Sequence, residues 1–249
     1  MSASQEPTSS HRERIWTELA KVARPDSRFH WDFSSFIADF EGSDECARRI
    51  RSLDSYRMGG AAFITPDNST EALRAQVIAD GRPVLMTTYG IVRGFLALDA
   101  GSVKAGQEAY AATLDGMDRH ARPVTLAQIS PWGPLRLLVT GGSAVSTNGV
   151  RFGKGHGFFD LEWAILSEIG VVDDDTEIAC VVHDCQVVDE SLSGEDHDVP
   201  VDWIITPTRS IHVDAPGRRP GRVRWEMLEG SQLGGVPPLR ELRAGVKAL

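Results

Sequence analysis

The 249-residue chain has few cysteines, a deficit of positive charge and no long apolar run. Its three cysteines are too few for a disulfide framework, and their odd number fits a reducing compartment. The formal net charge of −9 argues against general nucleic-acid binding, which depends on clustered positive charge. No run approaches the roughly 20 apolar residues that cross a bilayer, and the start of the chain lacks a signal-peptide pattern. We therefore expect a cytoplasmic protein with no membrane span and no general affinity for nucleic acid.

Three sequence fingerprints of common nucleotide-binding and hydrolytic sites are also missing. Neither the G-x-G-x-x-G spacing of dinucleotide loops nor the G-x-x-x-x-G-K-[ST] spacing of P-loops occurs. Gly142-Ser143 is followed by Ala144 and Val145, so the G-x-S-x-G elbow of serine hydrolases is absent. Any phosphate chemistry must therefore use another loop.

The glycine-rich run GVRFGKGHGFFD at residues 149–160 is the strongest candidate for such a loop. Its four glycines free the backbone to direct N–H groups toward one point, and the apolar run behind it predicts a helix whose N-terminus attracts anions. Arg151 and Lys154 add positive charge, while Asp160 offers a carboxylate for a divalent cation beside the phosphates. The run predicts a phosphate-binding loop. A flexible glycine-rich hairpin or surface turn is the alternative interpretation.

Strand and helix patterns alternate along most of the chain. A short apolar run at 61–65 precedes a capped helix at 70–79, and a second apolar run follows at 83–88. Such a βαβ unit places its two strands in a parallel sheet. Further strand patterns lie at 135–140, 177–182 and 203–206. The sequence therefore predicts a three-layer α/β fold with a mostly parallel sheet, and places the glycine loop where ligands gather, at the C-terminal ends of the strands.

The domain organisation follows from composition. We predict a loose polar leader over residues 1–9, a single α/β domain over 10–230, and a tail over 231–249 that contains a short helix. Near the end of the domain, the alternation of Val223 and Trp225 predicts an edge strand.

Acidic residues are the candidate ligands for a magnesium ion, because Mg²⁺ takes one or two carboxylates together with phosphate oxygens and water. The candidates are Asp160, Glu195, Asp196, Asp198 and Asp202. An acidic loop that is simply solvated is the alternative for the last four. Of the five, Asp160 is favoured because it closes the glycine loop.

A zinc site is a further alternative, at Cys180, His183 and Cys185. The spacing C-x₂-H-x-C lacks a fourth ligand, and on a strand the two cysteines would point to opposite faces. We therefore favour a buried Cys180 with polar groups at the end of its strand.

The glycine-rich run resembles the G-x-R-x-G-x-G-x-G-Y-Y-D signature of the 5-formyltetrahydrofolate cyclo-ligase family, also called methenyltetrahydrofolate synthetases. Four segments resemble more closely the divergent branch typified by the methenyltetrahydrofolate synthetase domain-containing proteins. They are GSAVS at 142–146, GKGHG at 153–157, HDCQVVD at 183–189 and DHDVPVD at 196–202. The similarity covers most of residues 10–230 and is specific from 135 to 209.

This resemblance implies a fold of the NagB/RpiA/CoA-transferase type and an ATP- and Mg²⁺-dependent cyclisation. In the family, the formyl oxygen of 5-formyltetrahydrofolate attacks the γ-phosphate of ATP. N10 then closes the ring and phosphate leaves, which yields 5,10-methenyltetrahydrofolate. Such chemistry depends on alignment and on neutralisation of charge at the transferred phosphoryl group.

The resemblance also assigns roles residue by residue. The ATP-binding set is Arg12, Arg151, Gly153, Lys154, Gly155, His156, Gly157 and Phe158, of which Arg151 and Lys154 would act on the transferred group. Substrate contacts would come from Asp67, Phe158 and Phe159. Mg²⁺ would be held by Asp160 and Asp198.

Two departures from the family pattern leave a second function open. The family's N-terminal helix carries K-x-x-x-R, whereas Thr8 stands four residues before Arg12 in this chain. Phe158-Phe159 replaces a Tyr-Tyr pair and so lacks its phenols. The alternatives are cyclisation of a related N-acyl amine, or a non-catalytic nucleotide- or folate-binding protein of the same fold with a regulatory or RNA-associated role.

Overall fold

The computed structural model describes residues 9–99 and 101–245, and of residues 9–12 and 232 it describes only the backbone. Residues 1–8 of the predicted leader lie outside the described residues. In this part of the chain the strands are β1 (Ala23–Arg24), β2 (Asp39–Phe40), β3 (Ala62–Ile64), β4 (Val84–Thr87), β5 (Phe95–Leu98), β6 (Arg122–Val124), β7 (Leu137–Gly141), β8 (Ala144–Ser146), β9 (Arg151–Phe152), β10 (Glu177–Val181), β11 (Val187–Val188), β12 (Trp203–Ile205) and β13 (Ser210–His212).

Helices pack on both sides of the main sheet and are short. They are α1 (Ser9–Leu19), α2 (Ser43–Ile50), α3 (Asp54–Arg57), α4 (Glu71–Ala79), α5 (Glu108–Ala112), α6 (Leu114–His120), α7 (Leu126–Ile129), α8 (Phe158–Glu168), α9 (Trp225–Leu228) and α10 (Pro237–Arg243). Within the described ranges, no helix is long and apolar enough to cross a membrane.

The main sheet has eight strands in the order β13-β12-β10-β7-β3-β4-β5-β6. The five strands from β12 to β4 pair in parallel, while β13, β5 and β6 are antiparallel additions at the two edges. This arrangement confirms the predicted three-layer α/β fold with a mostly parallel sheet. Strand β4 lies on one side of β3, whereas β7 lies on the other. The order in which successive strands are added across the sheet therefore reverses at the boundary between β3 and β7. Ligands of open α/β sheets bind at such a switch point.

Two apolar layers cover the two faces of this sheet. Phe63 and Leu138 belong to the layer that contains Trp163 of α8, whereas Ile64 and Val139 belong to the layer that contains α2 and α4. Adjacent residues therefore face opposite layers, as a strand requires, and both faces are buried. Double burial explains why the central strands appear in the sequence as continuous apolar runs.

The edge strand predicted from Val223 and Trp225 is wrong. Trp225 begins the short helix α9, and its ring lies 4.7 Å from the guanidinium carbon of Arg243 on α10. The backbone N–H of Val223 donates to Glu168 rather than to a neighbouring strand, at 2.8 Å. Strand β13, which pairs with β12, already forms this edge of the sheet. Val223 and Trp225 contact helices instead of a neighbouring strand.

The predicted division of the chain at residue 230 stays a prediction. Helix α10 lies within the predicted tail, and its Leu239 is buried in the same apolar layer as α8.

Candidate functional site

A cavity of about 460 Å³ opens at the switch point, where β3 and β7 end. It is lined by all the predicted site residues whose side chains the structure describes. These are Asp67, Arg151, Gly153, Lys154, Gly155, His156, Gly157, Phe158, Phe159, Asp160 and Asp198. The side chain of Arg12 lies outside the described residues. Its helix, α1, packs through Ile15 against Ala144 of β8.

The end of β7 approaches the loop after β3 very closely. The Asp67 carboxylate accepts a hydrogen bond from the Gly141 backbone N–H at 3.0 Å and from the Thr65 hydroxyl at 2.6 Å. A Cβ atom at position 141 would lie 2.6 Å from Ser69 Oγ and 2.7 Å from Ile37 Cγ2. Any side chain at this position would therefore have to displace its neighbours, and the Gly141–Asp67 contact holds Asp67 at the edge of the cavity.

A buried arginine supports the same loop from beneath. Arg74 is fully buried on α4 and donates to the carbonyl oxygens of Thr65 at 2.7 Å, Asp67 at 3.0 Å and Ala112 at 2.8 Å. Burial lowers the pKa of Arg74 to about 10, so the side chain stays protonated at neutral pH. The sequence offered no local signal for this role, because Arg74 occupies an ordinary position in a helical pattern.

The glycine run forms a loop that leads into α8. Residues 151 and 152 pair with β8 as strand β9, and the chain then turns through Gly155 and Gly157, whose φ angles are +82° and +65°. Positive φ favours glycine at both positions. Gly157, at the N-cap of α8, has no side chain that could accept from the first backbone N–H groups of the helix, and the residues at this helix start line the cavity. This geometry suits an anionic group.

Arg151 and Asp160 form a buried pair beside this helix end. Arg151 Nη2 lies 3.4 Å from Asp160 Oδ2, and the two side chains are 7% and 14% exposed. The guanidinium also lies over the Phe159 ring, at 5.0 Å, while its Nε has no hydrogen-bond partner among the described residues. The other Asp160 oxygen accepts from the Val199 backbone N–H at 2.9 Å. Arg151 therefore keeps donor capacity for a ligand, and Asp160 is held in place by the 196–202 segment.

Asp198 brings a second carboxylate to the same cavity. Its Oδ2 accepts from the Glu195 backbone N–H at 2.7 Å, and its Oδ1 lies 3.8 Å from His197 Nε2. Burial raises the pKa of Asp198, the hydrogen bond from Glu195 opposes that rise, and the negative charge of nearby Asp160 adds to it. Because the charge of Asp160 disfavours that of Asp198, the two carboxylates are suited to share a cation.

Lys154 crosses the mouth of the cavity to Tyr89. Its ammonium donates to the Tyr89 hydroxyl at 3.0 Å and lies 4.4 Å from the centre of that ring. The Tyr89 hydroxyl in turn donates to the Ser35 carbonyl, and its ring packs on Phe29 with centroids 5.1 Å apart. Tyr89 was not predicted as a site residue. It lies two residues after β4, so its position just past a strand end was the signal that could have identified it.

Glu162 lines the floor of the cavity and was also missed. It is 2% exposed, and burial raises the pKa of its carboxyl to about 8. The Thr87 hydroxyl donates to one of its oxygens, while Oε2 has no partner among the described residues. Its presence in the apolar run LEWAIL was the only sequence signal, since a charged residue in a buried helix face requires an explanation.

The remaining acidic candidates have different surroundings. Asp202 accepts from the Ile178 backbone N–H at 2.7 Å and pairs with Arg219, so it stabilises the fold away from the cavity. Asp196 does not line the cavity, and its side chain is 92% exposed. Glu195 lines the cavity rim.

The cysteine and histidine candidates occupy the end of β10. Burial raises the pKa of the Cys180 thiol to about 12, and Cys180 lies within the apolar core. His183 Nδ1 lies 3.2 Å from Cys185 Sγ, at a turn where the Gln186 side chain accepts from the His183 backbone. Within the described ranges, no group of three or more His, Cys, Asp or Glu side chains is arranged to hold a metal.

The fold and the site define an α/β protein with a cationic glycine loop and paired carboxylates at the switch point of its sheet. A model of the 5-formyltetrahydrofolate cyclo-ligase family matches residues 4–207. The chain therefore belongs to this family.

Curated relatives agree with the branch expected from the sequence. The methenyltetrahydrofolate synthase domain-containing proteins of Bos taurus and Homo sapiens are both 32% identical to the chain, over 93% and 94% of its length. The chain spans 60% of the length of each of these relatives.

A solved structure agrees with the fold. The NMR structure of Aquifex aeolicus 5,10-methenyltetrahydrofolate synthetase matches with a TM-score of 0.50 and 15% identity, covering 88% of this chain and 98% of that one. At this level of identity the likeness concerns the fold alone.

Proposed function

We propose that this protein is an ATP- and Mg²⁺-dependent cyclo-ligase that converts 5-formyltetrahydrofolate to 5,10-methenyltetrahydrofolate, or performs the same cyclodehydration on a related N-acyl amine. The observation that carries the proposal is the convergence, in one cavity, of the glycine loop, Arg151, Lys154 and the Asp160–Asp198 pair. Family membership supports the reaction class.

The glycine loop and its two cations are suited to the triphosphate of ATP. Backbone N–H groups at the start of α8 and the charges of Arg151 and Lys154 would neutralise the phosphates and the charge that develops during transfer. Arg151 Nε is buried without a partner among the described residues, which fits a donor reserved for a ligand.

The Asp160 and Asp198 side chains fit a magnesium ion. Each carboxylate is anchored through one oxygen by a backbone N–H, while the second oxygen of Asp160 lies 3.4 Å from Arg151 Nη2 and that of Asp198 lies 3.8 Å from His197 Nε2. Two carboxylates with phosphate oxygens and water form a usual Mg²⁺ environment. When bound, the ion would neutralise phosphate charge, while these residues would fix its place beside the loop.

The reaction itself requires the protein mainly to align its two substrates. The formyl oxygen attacks the γ-phosphorus of ATP and releases ADP. N10 then attacks the activated formyl carbon and gives up its proton, and inorganic phosphate leaves with the former formyl oxygen. The buried ring of Phe159 and the partly buried ring of Phe158 would help to exclude water from the activated intermediate, which would otherwise hydrolyse.

One specific feature favours a second candidate function, a non-catalytic nucleotide- or folate-binding protein. Phe158 and Phe159 carry no hydroxyl groups at the cavity, so the phenol there comes from Tyr89 alone among the described lining residues. A protein that binds both ligands but has lost turnover would show affinity for ATP and folate without product.

Single-turnover assays separate these candidates. Enzyme in excess over 5-formyltetrahydrofolate, with ATP and Mg²⁺, should give the methenyl chromophore, and omission of either ATP or Mg²⁺ should abolish it. Tight binding of both ligands with no ATP-dependent product would refute the cyclo-ligase and support the binding protein. Consumption of ATP only with another formamide would point to the related substrate.

A further inference from the structure

Glu162 keeps an unpaired hydrogen-bonding atom at the floor of the cavity. It lies on α8 two residues after Asp160, and 2% of the residue is exposed. One oxygen accepts from the Thr87 hydroxyl, whereas Oε2 has no partner among the described residues. A buried polar atom without a partner destabilises the folded state. A ligand that supplies the missing hydrogen bond would offset this cost.

The position of Glu162 indicates which ligand that is. Thr87 ends β4 and Asp67 follows β3, so the Glu162 carboxyl, which accepts from Thr87, lies beneath the ends of these two strands. Asp67 and Asp160 act on Glu162 electrostatically with one sign and Arg151 with the other. A phosphate held directly against Glu162 and Asp67 would be repelled by these two carboxyls, whereas a neutral polar ring would not.

We propose that Glu162 is a specificity-determining residue whose Oε2 hydrogen-bonds the polar edge of a neutral nitrogen heterocycle in the substrate. The assignment rests on the proposed function, because it names which part of the cyclo-ligase substrate occupies the floor. The edge of a fused amide ring presents N–H donors beside carbonyl and ring-nitrogen acceptors. The ionised carboxylate could accept from the ring N–H groups, and the protonated carboxyl could also donate to a ring acceptor. Thr87 is the positioning residue that fixes the rotation of the carboxyl.

Two variants of the full chain test this assignment by equilibrium binding, measured separately for 5-formyltetrahydrofolate and for Mg·ATP. Glu162→Leu removes the polar atoms at similar volume, and should weaken folate binding by about tenfold or more. ATP affinity should stay within about twofold, and the melting temperature should hold or rise because an unpaired buried group is gone. Glu162→Gln retains hydrogen-bonding atoms and should restore part of the folate affinity.

Glu168→Gln is the matched control on the same helix. Its carboxyl accepts from the Val223 backbone N–H at 2.8 Å and does not line the cavity, so folate affinity should be unchanged. Glu162→Leu should weaken folate binding while its melting temperature holds or rises. This combination distinguishes the proposal from a purely structural role, which predicts lower stability and unaltered folate affinity.

Three results would overturn the assignment. Unchanged folate affinity in Glu162→Leu, while the wild-type protein binds folate, would refute the role of Glu162 and leave the proposed function standing. Loss of ATP affinity alone would show that Glu162 serves the nucleotide. Failure of the wild-type protein to bind folate at all would refute the proposed substrate, and this assignment with it.

Discussion

The close approach of β7 to the loop after β3 makes Gly141→Ala the most informative single substitution. The new methyl group would lie 2.6 Å from Ser69 Oγ, 2.7 Å from Ile37 Cγ2 and 3.1 Å from Asp67 Oδ2. Contacts below 3.0 Å cannot persist, so either the Ser69 and Ile37 side chains must rotate away or the strand end and the Asp67 loop must separate. Overpacking of this kind costs about 1–3 kcal/mol, and for a chain of this size each kcal/mol lowers the melting temperature by about 2–4 °C.

The same displacement should reach function through Asp67. Gly141 N–H donates to the Asp67 carboxylate at 3.0 Å, and separation would lengthen or break this bond. Because the substrate contact proposed for Asp67 lies on the β3 side, we expect weaker folate binding and a smaller effect on ATP. Thermal unfolding and separate titrations of the two ligands provide the measurements.

A control and a partial rescue make the reasoning refutable. Gly235→Ala places its methyl group in open space at a residue without positive φ, so its melting temperature should differ little from wild type. Ser69→Ala removes one of the two closest atoms and should restore part of the stability lost in Gly141→Ala. A Gly141→Ala protein with wild-type stability and folate affinity would contradict the description of this contact.

Three further predictions concern charge and hydrogen bonding. Asp160→Asn should weaken ATP binding about tenfold in Mg²⁺ but not in EDTA, as titration under both conditions would show; equal effects would contradict a metal role. Tyr89→Phe keeps the ring but removes the acceptor that orients Lys154 at 3.0 Å, so the KM for ATP should rise several-fold, with the folate KM as the internal comparison. The hydrogen bonds of Arg28 lower the pKa of Asp26, and a lowered carboxyl pKa stabilises the fold above the unfolded value near 3.9 and less as pH falls through the folded value. Asp26→Asn should therefore cost stability in urea unfolding at pH 6 and progressively less as pH falls below 4; an equal cost at pH 6 and at pH 2 would refute the ion-pair explanation.

The parts of the fold that could be predicted are those specified by contiguous residues. From the run at 149–160 we could predict a turn, two cations and a following helix. These features depend on local properties, namely glycines with positive φ and a helix start without a capping side chain. The strands β3, β4 and β7 were identified from apolar runs, since burial of both sheet faces leaves no polar alternation.

The parts that could not be predicted depend on which distant residues meet. Asp202 and Asp198 lie in the same acidic loop and look alike in the sequence. Asp202 nevertheless pairs with Arg219, because the segment after β13 brings Arg219 back to the start of β12. Glu162 and Tyr89 appear in the sequence as an ordinary helical glutamate and a residue after a strand. Only the crossing of α8 beneath the end of β4 brings the Glu162 carboxyl to Thr87 and the cavity floor.

The most direct test of the proposed cyclisation follows the formyl oxygen. The protein is incubated with 5-formyltetrahydrofolate labelled with ¹⁸O in the formyl group, ATP and Mg²⁺, and the released inorganic phosphate is analysed by mass spectrometry. Attack of the formyl oxygen on the γ-phosphate predicts one ¹⁸O atom in each phosphate, formed together with methenyltetrahydrofolate. Unlabelled phosphate, or phosphate released without the methenyl product, would contradict the proposal.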